Sequence, residues 1–213
     1  MRSIGTPKFL PAVLVRIFAI AGFLSAAILV VNAAKRAGII PTSPLTQLAA
    51  PVAQLAAIGL VIGIYMVISR KAGVLGASGA VLSVTSLAGL VGVEFVLNLV
   101  FPYVDPAVIT ALRGGPLGIA LTAVSMLFLI GTVVFMSALW RTSGVPKAAV
   151  VLYTASTIPI ALRAVFPETV LQLGLIGLAV AIIWLATWLL QNVPRETAHG
   201  SSLQGVAAGT IAG

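Results

Sequence analysis

The chain is a series of long apolar runs separated by short polar connections. Runs of about 20 apolar residues are long enough to cross a bilayer as α-helices. Six such helices are predicted, with ends accurate to a few residues, at 11–32, 45–69, 74–100, 116–140, 146–166 and 168–191. The pattern predicts an all-α, polytopic membrane protein with a six-helix transmembrane domain over residues 1–192 and a flexible polar C-terminal tail over 193–213.

Two connections carry signals for where helices begin and end. Ser43 can cap predicted helix 2, and the proline that follows it suits a first helical turn. The connection DPAVITALRGGP between predicted helices 3 and 4 places Asp105 as an N-cap before a short run with one apolar face. This predicts a short helix lying flat at the membrane interface. The pair Gly114–Gly115 is expected to end it in a left-handed conformation.

Composition indicates that lipid is the main solvent of this chain. Of its 213 residues, 60% are hydrophobic and only 8% are charged, and the mean hydropathy is +1.19. A soluble domain of this size carries about 25% charged residues. There are too few polar side chains here to cover a surface that faces water.

The residue types present leave little material for cofactor or catalytic chemistry. The chain has no cysteine, so thiolate metal sites are excluded, and its single histidine, His199, lies in the tail rather than in a helix. We predict no cofactor, no metal site and no catalytic residue. An enzyme that uses a single Glu or Tyr is the alternative left open.

The basic residues predict an orientation. The chain carries 12 Lys and Arg against 4 Asp and Glu, a net charge of +8, spread thinly at the ends of the apolar runs. That distribution suits lipid headgroups and topology rather than nucleic acid. Eight basic residues fall on the side of the N-terminus and four on the opposite side, so both termini are predicted to be cytoplasmic.

A weak internal repeat relates predicted helices 2 and 3 to predicted helices 4 and 5. The matching positions are Gly59/Gly131, Arg70/Arg141, Gly73/Gly144, Ser86/Ser156 and Pro102/Pro167. A real duplication would make these two hairpins a parallel repeat. Coincidence explains the pattern equally well, because the chain is so rich in Ala, Val, Leu and Gly.

Predicted helices 4 to 6 carry a resemblance to known proteins. They read SALWRTSGVPKAAVVLYTASTIPIALRAVF followed by IGLAVAIIWLATWLL, which is a basic residue, a short Gly/Pro turn, a helix hairpin and a final helix closing on aromatic and leucine residues. This resembles uncharacterised six-helix bacterial integral membrane proteins of the domain-of-unknown-function type. The resemblance implies a fold and a location in the bacterial plasma (inner) membrane. It implies no activity and no site residue.

Ionisable groups inside apolar runs are costly and mark candidate sites. Glu94 is the clearest case, because it lies within predicted helix 3 on a polar stripe that also includes Ser83 and Ser86. On predicted helix 5, a similar stripe ends at Arg163, the expected ionic partner of Glu94, with Arg113 as the competing partner. The candidate intramembrane polar site consists of Glu94, Asn98, Arg163, Gln54 and Gln172.

Three roles are open for this polar site: a structural ion pair, a ligand or ion site, and a docking surface. For the whole protein we predict a non-catalytic accessory or structural subunit, or a binder of lipid or another hydrophobic small molecule. The alternative is a small proton- or cation-coupled transporter that uses Glu94 in an outward-facing polar cavity. The expected partners are membrane lipids, together with other membrane protein subunits or a second copy of the chain, and no nucleic acid.

Overall fold

The computed structural model describes residues 12–193, which form helices and turns with no β-strand. The helices are α1 (Ala12–Arg36), α2 (Pro44–Phe95), α3 (Pro106–Gly114), α4 (Pro116–Arg141), α5 (Lys147–Ala161) and α6 (Glu168–Gln191). A π-helical segment (Val96–Val100) and a 3₁₀ turn (Phe101–Tyr103) continue α2. The all-α prediction is confirmed for these residues. The predicted flexible tail lies outside the described residues, apart from its first residue.

Helix α2 is broken at Gly73 into two arms, residues 44–72 and 74–95. Gly73 has φ 54° and ψ −151°, a backbone conformation that glycine adopts at little cost. At about 1.5 Å per residue, the 56 residues from Gln47 to Tyr103 would span about 84 Å in a continuous helix. Instead the Tyr103 hydroxyl donates a hydrogen bond to Gln47 Oε1 over 3.1 Å. The two arms therefore form an antiparallel hairpin.

Four helical segments are long and apolar enough to cross a membrane: Ala12–Arg36, Pro44–Tyr103, Pro116–Arg141 and Glu168–Gln191. The second contains both arms of α2. Helix α5 has 15 residues and is about 22 Å long, which is shorter than the ~30 Å hydrocarbon core of a bilayer. The number of spans, the positions of the termini and the hairpin repeat stay predictions.

Glycines bring the helices into close contact. A Cβ atom added at Gly79, on the second arm of α2, would lie 2.7 Å from the Cα of Phe135 on α4. One turn further along, the Ser83 hydroxyl donates to the carbonyl oxygen of Gly131 over 3.1 Å. On the first arm, a Cβ added at Gly63 would lie 2.5 Å from the Cβ of Phe18 on α1. Small residues thus allow close backbone contact, as expected between membrane helices.

The bundle has two distinct ends. At the Glu94 end, defined by Glu94 and Arg36, the last turn of α1 meets the start of α6 and the open end of the α2 hairpin. At the Lys147 end, Lys147 Nζ donates to the carbonyl oxygens of Leu139, Trp140 and Thr142. These carbonyls belong to the last turn and C-cap of α4, where helical N–H donors run out, although that of Leu139 also accepts from Thr142 N–H. The ammonium group of Lys147 therefore caps α4.

Large buried side chains fill the half of the bundle next to the Lys147 end. Ile64, Phe135, Leu139, Leu185 and Leu189 lie there, each less than 2% exposed. They come from the first arm of α2, from α4 and from α6. The half next to the Glu94 end contains the candidate site and its cavity.

Several predicted boundaries match the structure closely, and others do not. Helix α6 has the predicted bounds, and both predicted caps are present: the Ser43 hydroxyl accepts from Thr46 N–H, and Asp105 Oδ1 accepts from Ala107 N–H. Helix α1 runs to Arg36 rather than to residue 32. Helix α5 ends at Ala161 rather than at residue 166, because the backbone of the next residue leaves the helical region at φ −100° and ψ 32°.

The left-handed stop expected at Gly114–Gly115 is wrong. Gly114 is the last residue of α3, and Gly115 has an extended backbone at φ −104° and ψ −162° that leads directly into α4. Positive φ angles occur instead at Gly38, Gly73 and Gly144, within the described residues. Each of these three glycines lies at a turn between helical segments.

Candidate functional site

A cavity of about 40 Å³ lies inside the Glu94 half of the bundle. Helices α1, α4, α5 and α6, both arms of α2 and the turn after α5 contribute to its wall. Its polar lining residues are Ser25, Asn32, Arg36, Gln54, Glu94, Ser125, Tyr153 and Arg163. The remainder of the wall is apolar and consists largely of leucine side chains.

Helix α1 forms one side of the cavity with a polar stripe. Ser25, Leu29, Asn32 and Arg36 follow one another at steps of four, three and four residues, so they share a single helix face. From Arg36 down to Ser25 the stripe extends about 16 Å along the helix axis. The cavity therefore reaches from the Glu94 end to the middle of α1.

The volume of the cavity limits what can occupy it. A single water needs roughly 10–15 Å³ on the same measure, so a cavity of about 40 Å³ holds about three waters. Pockets for drug-sized ligands are several times larger, at about 300–1,000 Å³. The cavity suits water, an ion or a molecule of a few heavy atoms, and it is too small for an acyl chain.

Glu94 lies at the mouth of the cavity in a hydrogen-bonded chain. Its Oε2 atom accepts from Asn98 Nδ2 over 2.8 Å, and Asn98 Oδ1 accepts from Lys35 Nζ over 2.9 Å. Asn98 belongs to the π-helical segment, and its amide also donates to the backbone carbonyl of Glu94 over 3.0 Å. The carboxylate of Glu94 is thus connected to the ammonium of Lys35 through a single amide.

Arg163 lines the same cavity but does not form the expected ion pair with Glu94. No nitrogen of Arg163 lies within 4.0 Å of a carboxylate oxygen of the described residues, and its side chain donates no hydrogen bond to any of them. The physical reason is local. Helix α5 ends before Arg163, which lies in the following turn, while the amide of Asn98 engages the Glu94 carboxylate.

The charge environment of Arg163 is mixed. Burial lowers the pKa of its guanidinium from the ordinary value, the carboxylate of Glu94 opposes this, and Arg36 and Arg113 add to the lowering. Arg113, the predicted competitor for Glu94, lies outside the cavity wall. Its guanidinium sits over the ring of Phe101, 5.2 Å from the centroid.

The ion pair that the described residues do form joins Arg36 Nη1 to Glu168 Oε1 over 2.9 Å. Glu168 was not part of the predicted polar site, and sequence reasoning missed this pair. The sequence did contain evidence for this ion pair. Arg36 ends α1 and Glu168 begins α6, so each charge interacts favourably with the dipole of its own helix. Both helix ends were also predicted to lie on the same side of the membrane.

The structure brings together most of the predicted polar site. Glu94, Arg163 and Gln54 line the cavity, and Asn98 is bonded to Glu94. Gln172 lies half-buried on α6 and does not contribute to the wall.

The two predicted polar stripes have other roles along much of their length. Ser83 bonds to α4, and Ser86 donates to the carbonyl of Ser83 over 2.9 Å. On α5, Ser156 and Pro159 pack against glycines of α6 rather than lining the cavity. Sequence reasoning missed four polar residues of the cavity wall: Ser25, Asn32, Arg36 and Tyr153. The spacing of Ser25 and Asn32 relative to Arg36 would have identified two of them.

Five polar side chains of the cavity wall have no hydrogen bond to any other described residue. They are Ser25, Asn32, Gln54, Tyr153 and Arg163. By contrast, Thr154 and Thr157 on α5 each donate to the carbonyl one turn earlier, over 2.9 Å. Their polar atoms keep contact with the cavity space, because no fully buried side-chain nitrogen or oxygen of the described residues lacks a partner. Water or a ligand inside the cavity can therefore supply the partners that the protein does not.

The fold and the surface define the class of this protein. Long apolar helices expose large hydrophobic side chains such as Leu45 and Ile119, which are 78% and 73% exposed, while the polar groups described above face inward. Such a distribution is stable only in lipid. The protein is an all-α integral membrane protein. No protein-family model matches its sequence, and no significant match exists among curated proteins or solved structures.

Proposed function

We propose that this protein is a non-catalytic multi-pass protein of a bacterial plasma membrane that binds a small polar molecule or ion at the Glu94 end. The observation that carries the proposal is the set of five unpartnered polar side chains in one cavity. Membrane helices usually satisfy such groups by bonding to their own backbone or to a neighbouring helix. A cluster that does neither is what a polar ligand requires.

The proposal departs from the sequence prediction of a binder of lipid or another hydrophobic molecule, and it takes up the ligand or ion role that was open for the polar site. A binder of lipid chains is disfavoured, because the cavity of about 40 Å³ accepts only a few heavy atoms. A purely structural role for the polar site is also disfavoured. The bonds that tie helices together, from Lys35 to Asn98 and from Arg36 to Glu168, lie at the mouth, whereas the unpartnered groups continue below it. The accessory-subunit role stays a prediction.

The charge distribution supports an orientation for this binding protein. The excess of basic residues on the side of the N-terminus supports a cytoplasmic position for the Lys147 end under the positive-inside rule. The Glu94 end then faces the outside of the cell. A ligand would reach the cavity from the periplasm or medium without crossing the membrane.

A second candidate is a small proton- or cation-coupled transporter. It is favoured by one observation, the half-buried carboxylate of Glu94 at the mouth of the cavity. Transport also requires a path through the Lys147 half, which large side chains fill. Glu94→Gln separates the two functions. If the protein is a transporter, the Glu94→Gln variant loses proton-dependent flux in vesicles while its stability is unchanged. If it is a binding protein, the variant still binds the ligand, and neither the variant nor the wild type shows flux.

Blocking the cavity tests the proposed function. Ser25→Leu places a larger apolar side chain at the deep end of the α1 stripe, where Ser25 is 1% exposed. Ser137→Leu makes the same change on the exposed face of α4 and is the matched control. The wild-type chain and both variants are purified into phosphatidylcholine nanodiscs. Thermal unfolding is then followed with small cations, anions and neutral solutes.

We expect at least one solute to raise the unfolding midpoint of the wild type and of Ser137→Leu, but not that of Ser25→Leu. Saturation at 100 times the dissociation constant stabilises a protein by about 2.7 kcal/mol, which is readily measured. The proposal fails if no small solute shifts the wild type. It also fails if Ser25→Leu folds and responds as the wild type does.

A further inference from the structure

We infer that the ligand is a small monovalent anion, a carboxylate of acetate size or an equally small inorganic anion, held by the guanidinium of Arg163. This deepens the proposed function and rests on it. The inference begins with the charges around the cavity mouth. Three of the described residues at the mouth are positive, Lys35, Arg36 and Arg163, and two are negative, Glu94 and Glu168. Arg113 lies outside the cavity wall and acts on Arg163 only from a distance.

Two of the positive charges already have partners. Arg36 and Glu168 neutralise each other in an ion pair of 2.9 Å. Lys35 is connected through the amide of Asn98 to the carboxylate of Glu94. The carboxylate of Glu94 acts electrostatically on Arg163 as well as on Lys35, so among these described residues two carboxylates face three cations and one positive charge is in excess. An anion in the cavity would bring the whole cluster to neutrality.

The geometry of guanidinium suits such a ligand. Arginine presents N–H donors in a planar fork and has no acceptor, so it matches the two oxygens of a carboxylate or of a phosphate. Because Arg163 donates no hydrogen bond to another described residue, the fork is available to a ligand. Binding a cation at the same place would instead add a like charge beside Arg163 and Arg36.

The lower wall supplies further donors. The amides of Asn32 and Gln54 and the hydroxyls of Ser25 and Tyr153 face the cavity without protein partners. Hydroxyls and amides can each donate to a second oxygen of the ligand or to a water beside it. The volume of about 40 Å³ limits the ligand to about three water-sized groups, which an acetate or formate ion fits and a dicarboxylate chain does not.

A free anion and the phosphate of a lipid headgroup could both bind Arg163 through the same hydrogen bonds. They differ in how far each can enter the cavity. A lipid phosphate can reach Arg163 at the mouth, but its attached chains cannot follow into a cavity of this size. A small free anion can pass further in, toward Tyr153. Both sources predict an anion bound to Arg163, and the experiment must distinguish a free anion from a lipid phosphate.

The test uses the full-length chain in phosphatidylcholine nanodiscs. Sodium formate, acetate, chloride and phosphate are titrated against sodium gluconate, whose anion is too large for the cavity, so that ionic strength stays constant. Binding is read from the thermal unfolding midpoint. The variants are Arg163→Gln, Arg163→Lys and, as the matched control, Arg113→Gln, which removes an arginine outside the cavity wall.

We expect at least one of the small anions to bind the wild type. Arg163→Gln should weaken that binding by about 10- to 100-fold, the equivalent of losing a hydrogen-bonded charge. Arg163→Lys keeps the charge but loses the fork, so it should weaken binding by a smaller factor. Arg113→Gln should change affinity by less than about threefold, because its screened charge acts only from a distance.

Each other outcome has a defined meaning. If cations or neutral solutes bind but none of the anions does, the inference is overturned while the proposed function stands. Equal losses of anion affinity in Arg163→Gln and Arg113→Gln would show general electrostatic attraction rather than a site on Arg163. That result would also overturn the inference. If phosphatidylglycerol nanodiscs stabilise the wild type and block acetate in an Arg163-dependent manner, the oxyanion site is upheld and its source is lipid. If Arg163→Gln does not fold, the Arg163→Lys comparison decides.

Discussion

The contact between α4 and the second arm of α2 offers the sharpest test of the fold. A methyl group added at Gly79 would lie 2.7 Å from the Cα and 2.8 Å from the backbone nitrogen of Phe135. Both are backbone atoms, so no side-chain rotation relieves the overlap, and the two helices must separate. Ordinary carbon contacts begin at about 3.5 Å, which requires a local shift of about 0.8 Å.

The expected effect of Gly79→Ala follows from that shift. Overpacking of this kind costs about 1–3 kcal/mol. Separation also weakens the bond from the Ser83 hydroxyl to the Gly131 carbonyl, one turn away, and such bonds contribute about 0.6 kcal/mol between membrane helices. Because the higher helix propensity of alanine offsets part of this cost, we expect the free energy of unfolding to fall by about 1–3 kcal/mol.

Gly92 provides a matched control on the same arm. A Cβ added there meets nothing within 4 Å, so Gly92→Ala makes the same chemical change without the clash. Both substitutions change helix propensity equally, by up to about 1 kcal/mol in favour of alanine. The difference between the two variants therefore isolates the helix contact.

The assay is reversible unfolding in detergent, followed by the fluorescence of the chain's three tryptophans. Gly79→Ala should unfold at lower denaturant or temperature than the wild type, and Gly92→Ala should match or exceed the wild type. The proposed close contact would be refuted if the two variants differed in unfolding free energy by less than about 0.5 kcal/mol, well below the overpacking range.

Three further predictions concern the ends of the bundle. In a double-mutant cycle, Arg36→Ala and Glu168→Ala should show a coupling energy of only about 0.2–1 kcal/mol, because the two side chains are 31% and 54% exposed. The coupling energy should decrease in high salt, and a value unaffected by salt would contradict this. Because the chain has no native cysteine, Gln47→Cys combined with Tyr103→Cys should be bridged by a short bifunctional maleimide, visible as a gel shift. A continuous α2 would hold the two thiols about 84 Å apart and give no bridged product. Gly73→Ala should lower the unfolding free energy by about 1–3 kcal/mol, because its backbone conformation is strained for any residue with a Cβ; unchanged stability would show that the turn does not need glycine.

Features that depend on local chemistry could be predicted from the sequence. The caps at Ser43 and Asp105 depend on side chains bonding to a backbone N–H two or three residues away, and both are present. The bounds of α6 follow from Pro167 before it and the end of its apolar run. Glu94 could be identified as a candidate site residue because a carboxylate among valines and leucines is costly inside a membrane.

The cavity itself could not be predicted in full, for a physical reason. In a water-soluble helix the polar face marks the outside, but here both the lipid-facing and the core-facing sides are apolar, so the inward direction is not encoded by hydropathy. Ser25 and Tyr153 therefore looked like ordinary packing residues. The failure to pair Arg163 with Glu94 has a tertiary cause, since it depends on where α5 ends and on the amide of Asn98.

The filled Lys147 half gives the cavity a floor as well as a mouth. If the proposed ligand binds above Phe135 and Leu139, it must leave by the way it entered, and its occupancy would follow the concentration on one side of the membrane alone. Under that proposal, the site would report the ligand concentration of a single compartment. Any passage of the ligand to the other side would have to begin with the repacking of that floor.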